Sequence, residues 1–381
     1  MSIQWKGVMP AVTTKFTADD KLDFNMFEVN LKAQLEAGVS GIILGGTLGE
    51  ASTLLEDEKT ELIKHTVSLT KNKVPVIMNI AEQSTKAAIF AANKAEKDGA
   101  EGLMVLPPMR YKATDHETVT YFGEIAKNTS LPIMIYNNPV DYKIDVTLDM
   151  FEELLKFDNI QAVKESTRDI TNITRIINRF GSRLKILSGV DTLALESTLM
   201  GCDGLVSGLV CAFPAETVAI FNLAKAGRID EALKIYRWFM PLLELDINSL
   251  LVQNIKLCEV ATGIGNEYVR APRLPLLGTE RERVLGLIDQ AMRTRKGRGQ
   301  HQKYLPYVFT EHGVLMLSSV LNSERAIQTN IQIMRIFAKI KQMHCWLKYK
   351  KTNDYRKKLY RKPTKSKRNK NHKNLQSSIK S

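Results

Sequence analysis

Eight short apolar runs recur along the first 210 residues: VMPAVTT, GIILGGT, PVIMNIA, GLMVLPP, PIMIYNN, IQAVKES, LKILSGV and GLVSGLV. None alternates cleanly between apolar and polar positions, so each suits a strand buried on both faces, as in a parallel sheet. Between them lie helical patterns such as MFEVNLKAQLEAG, TKAAIFAANKAEKDG and DTLALESTLMG, several of which stop at glycine. Successive runs start about 20 to 35 residues apart, the size of one strand–helix unit. Eight such units in a row predict a (β/α)8 barrel. A doubly wound open sheet is the competing architecture, but no G-x-G-x-x-G follows the first run.

Beyond the eighth run, PAETVAIFNLAKAGRIDEALKIYRWFMPLLELD, LLVQNIKLCEVATG and TERERVLGLIDQAMRTR read as amphipathic helices, with APRLPLLG as a proline-rich connection. The first block supplies part of the barrel's eighth helix. The others pack on the barrel or on a neighbouring subunit. A chain of 381 residues, 44% of them hydrophobic, accommodates such a domain plus an appendage. The N-terminus MSIQWKGVMPAV lacks a signal pattern and no apolar run approaches membrane-spanning length. A soluble, cytoplasmic protein without membrane association is the expectation. Cys202, Cys211, Cys258 and Cys345 are scattered, and the six histidines form no ligand pair. Neither a disulfide framework nor a metal is implied.

The net charge of +13 is unevenly placed. From Arg295 to the end lie 22 of the 54 basic and 3 of the 41 acidic residues, which leaves residues 1–294 with 32 against 38. The body is mildly acidic, and any attraction to a polyanion belongs to the tail.

Chemistry concentrates at the strand ends. In a (β/α)8 barrel the catalytic groups sit where the C-terminal ends of the strands meet the loops. Thr47 closes the second run in GGTLGE, Tyr136 the fifth in MIYNNP, and Lys164 the sixth in AVKES. A single lysine at such a place usually snorkels to solvent. A desolvated one is a nucleophile for a carbonyl. Beside a tyrosine and a threonine at other strand ends, Lys164 suits amine catalysis. It forms a carbinolamine and then an iminium with a 2-oxo acid, while Tyr136 and Thr47 pass the protons. The glycines around Thr47, including Gly46, let backbone N–H groups approach a substrate carboxylate.

The motifs GGTLGEASTL, YNNP and KES, at this spacing, resemble those of the dihydrodipicolinate synthase and N-acetylneuraminate lyase family of Schiff-base aldolases, over about residues 3–294. The resemblance implies a (β/α)8 barrel with C-terminal helices, a homotetramer and no metal or organic cofactor. It carries over Lys164 as the Schiff-base lysine, Tyr136 as the relay tyrosine and Thr47 as its hydroxyl partner. Three positions depart from the synthases of that family. Leu48 stands where a second hydroxyl contacts the substrate carboxylate, and Asp141 stands where an arginine grips aspartate semialdehyde. Met109 stands where a relay tyrosine follows strand four, with Tyr111 as its stand-in. A carboxylate at 141 repels an acidic aldehyde. The expected substrate is therefore a hydroxylated 2-oxo acid or its cyclic imine, handled by a dehydratase or deaminase such as 1-pyrroline-4-hydroxy-2-carboxylate deaminase. The alternative is 4-hydroxy-tetrahydrodipicolinate synthase or another pyruvate-dependent aldolase. By the same resemblance Gly189 and Asp191, in SGVDT, contact substrate hydroxyls, although Asp191 equally suits a helix N-cap.

From about Lys296 the texture changes. YLPYVFTEHGVLMLSSVLNSERAIQTNIQIMRIF resembles the C-terminal part of the ORF6N domain, which is associated with DNA binding, but the upstream half is missing. The expected organisation is a lyase domain over 1–294, an ORF6N-like fragment over 297–343 and a basic, disordered tail over 344–381. The tail predicts weak, non-specific and salt-sensitive nucleic-acid binding. A DNA-binding fusion protein on an inactive barrel is the competing class.

Overall fold

The computed structural model describes residues 3–108 and 111–298. Met109, the ORF6N-like fragment from residue 299 onward and the basic tail lie outside the described residues.

All eight apolar runs form strands. They are β1 (Gly7–Pro10), β2 (Ile42–Leu44), β3 (Val76–Ile80), β4 (Gly102–Val105), β5 (Ile133–Asn137), β6 (Ile160–Glu165), β7 (Lys185–Ser188) and β8 (Gly204–Ser207). Every ladder is parallel, and the order runs β1-β8-β7-β6-β5-β4-β3-β2. A parallel bridge between Ala11 and Ile43 joins the two remaining edges, with the Val12 N–H donating to the Ile43 carbonyl at 3.0 Å. The sheet thus closes into a (β/α)8 barrel. Continuous burial along β3, β4, β5 and β8 explains why these runs show no alternation. Ile42, Ile77, Leu103, Ile135, Val163 and Leu187 are wholly removed from solvent. Each such side chain contributes about 1.5–3 kcal/mol of transfer free energy.

The helices begin and end where short polar residues and glycines direct them. Asp23, Ser84 and Thr114 accept the N–H of the third residue beyond, opening helices Phe24–Ala37, Thr85–Asp98 and Asp115–Lys127. The first two stop at Gly38 and Gly99. After β8 the long apolar block splits into Pro214–Lys225 and Ile229–Leu243. Gly227 makes the corner with φ +73°, a backbone conformation costly for other residues. A single turn, Glu244–Ile247, then leads into Leu251–Thr262, and Gly278–Arg298 follows. Among the described residues no helix is long and apolar enough to cross a membrane.

Two buried ion pairs fasten this extension to the barrel. Lys15 Nζ meets Glu259 Oε1 at 3.0 Å, and Lys256 Nζ meets Glu50 Oε1 at 2.6 Å, with all four side chains sealed from water. Burial pushes the Lys256 ammonium down to about 8 and raises the Glu259 carboxyl. Arg270, itself buried, adds a clamp on Glu58 and Asp20. Helix Leu251–Thr262, which carries both Lys256 and Glu259, is thereby held against the loops that follow β1 and β2.

Candidate active site

Tyr136 and Lys164 occupy the penultimate positions of β5 and β6 and are direct partners in the register of that ladder. The pairing places the lysine Nζ 3.9 Å from the centre of the tyrosine ring. Both side chains are buried. Burial holds the Lys164 amine below the usual lysine range, against the opposing pull of Tyr142, Asp246, Asp191 and Asp141. The same desolvation pushes the Tyr136 phenol up to about 12. A lysine so placed carries its uncharged, nucleophilic form at lower pH than an exposed one.

Thr47 lies three residues beyond the end of β2, itself exposed within an otherwise buried turn. Its Oγ1 lies 3.0 Å from the hydroxyl of Tyr142, not of Tyr136. Tyr142 stands edge-on to Tyr136, with ring centres 5.4 Å apart. The sequence reading places Thr47 beside Tyr136; its hydroxyl partner is instead Tyr142. Tyr142 arrives there because Asn138 caps a one-turn helix, Pro139–Tyr142, that folds the chain back immediately after β5. Asn138 also donates to the Tyr136 hydroxyl at 3.2 Å and to Asp141 Oδ2 at 2.7 Å. In YNNPVDYK the Asn-Pro pair was the available signal for that turn.

These groups open on one cavity of about 320 Å³ at the C-terminal ends of the strands. Gly46, Leu48, Asp141 and Gly189 line it together with Thr47, Tyr136, Tyr142 and Lys164. Leu48 is buried, which makes that patch of wall apolar. Among the described residues the N–H groups of Thr47 and Leu48 have no acceptor, so both are available to an anion. Gly189 leaves room for the lysine stem, since a Cβ there would come within 2.6 Å of Lys164 Cε.

Two sequence-derived residues stand apart. Tyr111 is exposed and is not among the residues lining the cavity. Asp191 lies behind the wall. It does not cap its own helix but ties the end of β7 to the end of β8. It accepts from Ser207 Oγ at 2.9 Å, from the Gly208 N–H at 3.1 and 3.2 Å, and from the Leu209 N–H at 2.8 Å. The cavity also contains two ionisable groups that the sequence did not reveal. Arg168 follows β6 with a left-handed backbone, φ +66°, and Asp246 comes from the turn Glu244–Ile247 of the extension.

The barrel thus presents a desolvated strand-six lysine against a strand-five tyrosine in one cavity, the class of site suited to a carbonyl compound. The comparisons with known proteins narrow that class. The sequence model of the Dihydrodipicolinate synthetase family matches residues 4–291. The chain is 30% identical over 296 residues to 4-hydroxy-tetrahydrodipicolinate synthase of Exiguobacterium sibiricum, covering 77% of this chain and 99% of that protein. It is 31% identical over 295 residues to the synthase of Methanosarcina barkeri, covering 75% and 100%. Among solved structures, the synthase of Methylacidiphilum fumariolicum SolV superposes with a TM-score of 0.73 at 26% identity, covering 77% and 97%. Dihydrodipicolinate synthase of Bacillus anthracis gives a TM-score of 0.73 at 27% identity, covering 76% and 99%. The chain belongs to the dihydrodipicolinate synthetase family and is a lyase of that family.

Proposed function

We propose that Lys164 attacks the C2 carbonyl of a 2-oxo acid and holds it as an iminium. The enzyme then eliminates a C4 hydroxyl, acting as a dehydratase, or as a deaminase when the substrate is a cyclic imine such as 1-pyrroline-4-hydroxy-2-carboxylate. The carrying observation is the desolvated Lys164 amine, 3.9 Å from the Tyr136 ring centre within a cavity. Attack leaves a carbinolamine, and loss of its hydroxyl as water gives the iminium. Tyr136, Tyr142 and Thr47 carry the protons for both steps. The Thr47 and Leu48 N–H groups receive the substrate's C1 carboxylate. With C2 cationic, the C3 proton becomes acidic and a C4 substituent can leave. A cyclic imine enters by transimination, in which Lys164 displaces the ring nitrogen.

The substrate preference rests on the far wall. Asp141 stands on the cavity wall, so a second carboxylate meets repulsion while a hydroxyl meets an acceptor. A condensing synthase that joins pyruvate to aspartate semialdehyde is the second reading, favoured by the names of the relatives. Assembly as a homotetramer in the cytoplasm, with a lyase domain over 1–294, belongs to the same family reading. Light scattering tests the assembly.

Borohydride is added to the protein with pyruvate or with 4-hydroxy-2-oxo acids, and the reduced peptide is identified by mass spectrometry. The expected adduct is on Lys164, and water or ammonia loss is expected to exceed condensation with the semialdehyde. An adduct elsewhere refutes the iminium. Efficient condensation supports the synthase.

A further inference from the structure

Three carboxylates act electrostatically on the Lys164 amine, and they differ in what they receive. Asp191 accepts from two backbone N–H groups and a serine hydroxyl. Asp141 is exposed and accepts from Asn138 Nδ2 at 2.7 Å. Asp246 receives nothing among the described residues, and its Oδ1 is sealed from solvent. An anionic oxygen without a donor, next to another anion, is the costliest arrangement a buried carboxylate can adopt. A proton on Asp246 removes that cost, whereas at Asp191, which burial also raises, the Leu209, Ser207 and Gly208 donors oppose protonation. Two carboxyl groups whose surroundings drive their protonation apart are the pattern of an acid and an anion sharing one site.

Packing fixes Asp246 in that position. It lies against Gly208, where an added methyl group would collide with Asp246 Oδ1 and with Leu48 Cδ1. The same Gly208 donates its N–H to Asp191, so one residue separates the two carboxyls. Asp246 and Lys164 line the same cavity.

We propose that Asp246 is the general acid that protonates the departing C4 oxygen of the substrate held on Lys164. This rests on the iminium proposed above. The C3–H bond breaks, its proton passes through the Tyr136 hydroxyl to solvent, and its electron pair forms the enamine. The enamine pair then forms the C3=C4 bond as the C4–O bond breaks, and the departing oxygen takes the Asp246 proton to leave as water. Asp246 regains a proton from solvent, so no net proton and no electron is exchanged. Burial, reinforced by Asp191 and Asp141 and opposed by Lys164, holds the Asp246 carboxyl well above the usual carboxylate range. It therefore retains its proton at pH values where an exposed aspartate has lost it.

The test compares wild type with Asp246→Asn, which keeps the shape and loses the acid. Two probes are used, 4-hydroxy-2-oxobutanoate and its 4-chloro counterpart, because chloride leaves without a proton. Borohydride trapping on Lys164 is expected in both proteins. Water loss from the hydroxy compound should fall about 10²-fold or more in the variant, the weight of a lost general acid, while chloride release falls far less. Gly208→Ala, which displaces Asp246 without altering its charge, should show the same selective loss. Equal loss with both probes, an unchanged rate with the hydroxy compound, or a wild type that traps both compounds and eliminates neither overturns the proposal. Absence of trapping in the wild type refutes the Lys164 reading instead, and the proposal falls with it.

Discussion

Lys164, the proposed nucleophile, is held in place at the expense of stability. Burial lowers its proton affinity in the folded chain, so the unfolded chain binds that proton more tightly. The residue therefore reduces stability at every pH below the ordinary lysine value of about 10.4, and has no such effect above it. Lys164→Met, of similar length and without charge, is expected to abolish borohydride trapping and turnover. At pH 7 it should raise Tm by about 2–4 °C, the shift that ~1 kcal/mol makes in a domain of this size. Thermal scans at pH 7 and near pH 10 check the sign, because the gain should shrink at the higher pH. A second expectation concerns the hydroxyls. Thr47 and Tyr142 are hydrogen-bonded, so Thr47→Val and Tyr142→Phe should each slow turnover, and the double variant should be little slower than the worse single one. Additive losses would show that the two act separately. Lys164, Tyr136 and Thr47 were legible in the sequence because strand ends are local features and a barrel aims them at one place. Tyr142 and Asp246 were not, because each is brought to the cavity by a turn whose direction only the folded chain reveals.

At the scale of elements, the eight strands were legible because burial on both faces leaves uninterrupted apolar runs. The division of the first helical block was harder to read, since its apolar periodicity continues through Gly227 while the backbone does not. Least legible was the pairing of distant charges. Glu50 belongs to the GGTLGE turn and Lys256 to a helix 206 positions later, yet they form a sealed ion pair. Glu50 Oε2 also accepts the Arg270 N–H at 3.0 Å, so one carboxylate orders both the GGTLGE turn and the extension. Glu50→Gln leaves a buried ammonium without its counter-charge and is expected to cost about 3–5 kcal/mol. Lys256 already stands at about 8 with its partner present, and falls lower without it. The deficit should therefore be greatest near pH 6 and should be gone by pH 10, well above the value of about 8 at which folded wild-type Lys256 itself sheds the proton. Urea titrations at the two values measure it. A deficit independent of pH would assign the loss to the hydrogen bonds rather than to the charge.

For the whole molecule, catalysis and charge occupy different stretches of the chain. The cavity draws on residues from Ala11 to Leu251, the family match ends at residue 291, and the last described helix runs to Arg298. Residues 299–381 hold 19 of the 54 basic and 3 of the 41 acidic residues, so removing them changes the formal charge from +13 to −3. A cut after Arg298 spares the final helix, whereas a cut at residue 294 removes its last turn. The shortened chain is expected to keep its fold and its turnover, because every group assigned to chemistry and both buried ion pairs remain. It should also lose any retention on DNA at low salt, since attraction that comes from lysine and arginine alone disappears with them. Full-length protein should be retained on DNA at about 50 mM salt and released by about 200 mM, the range over which counterion release weakens such contacts by orders of magnitude. Retention by the full chain that persists at high salt and depends on DNA sequence would instead establish the tail as a recognition module. Loss of turnover on truncation would make the tail part of the enzyme.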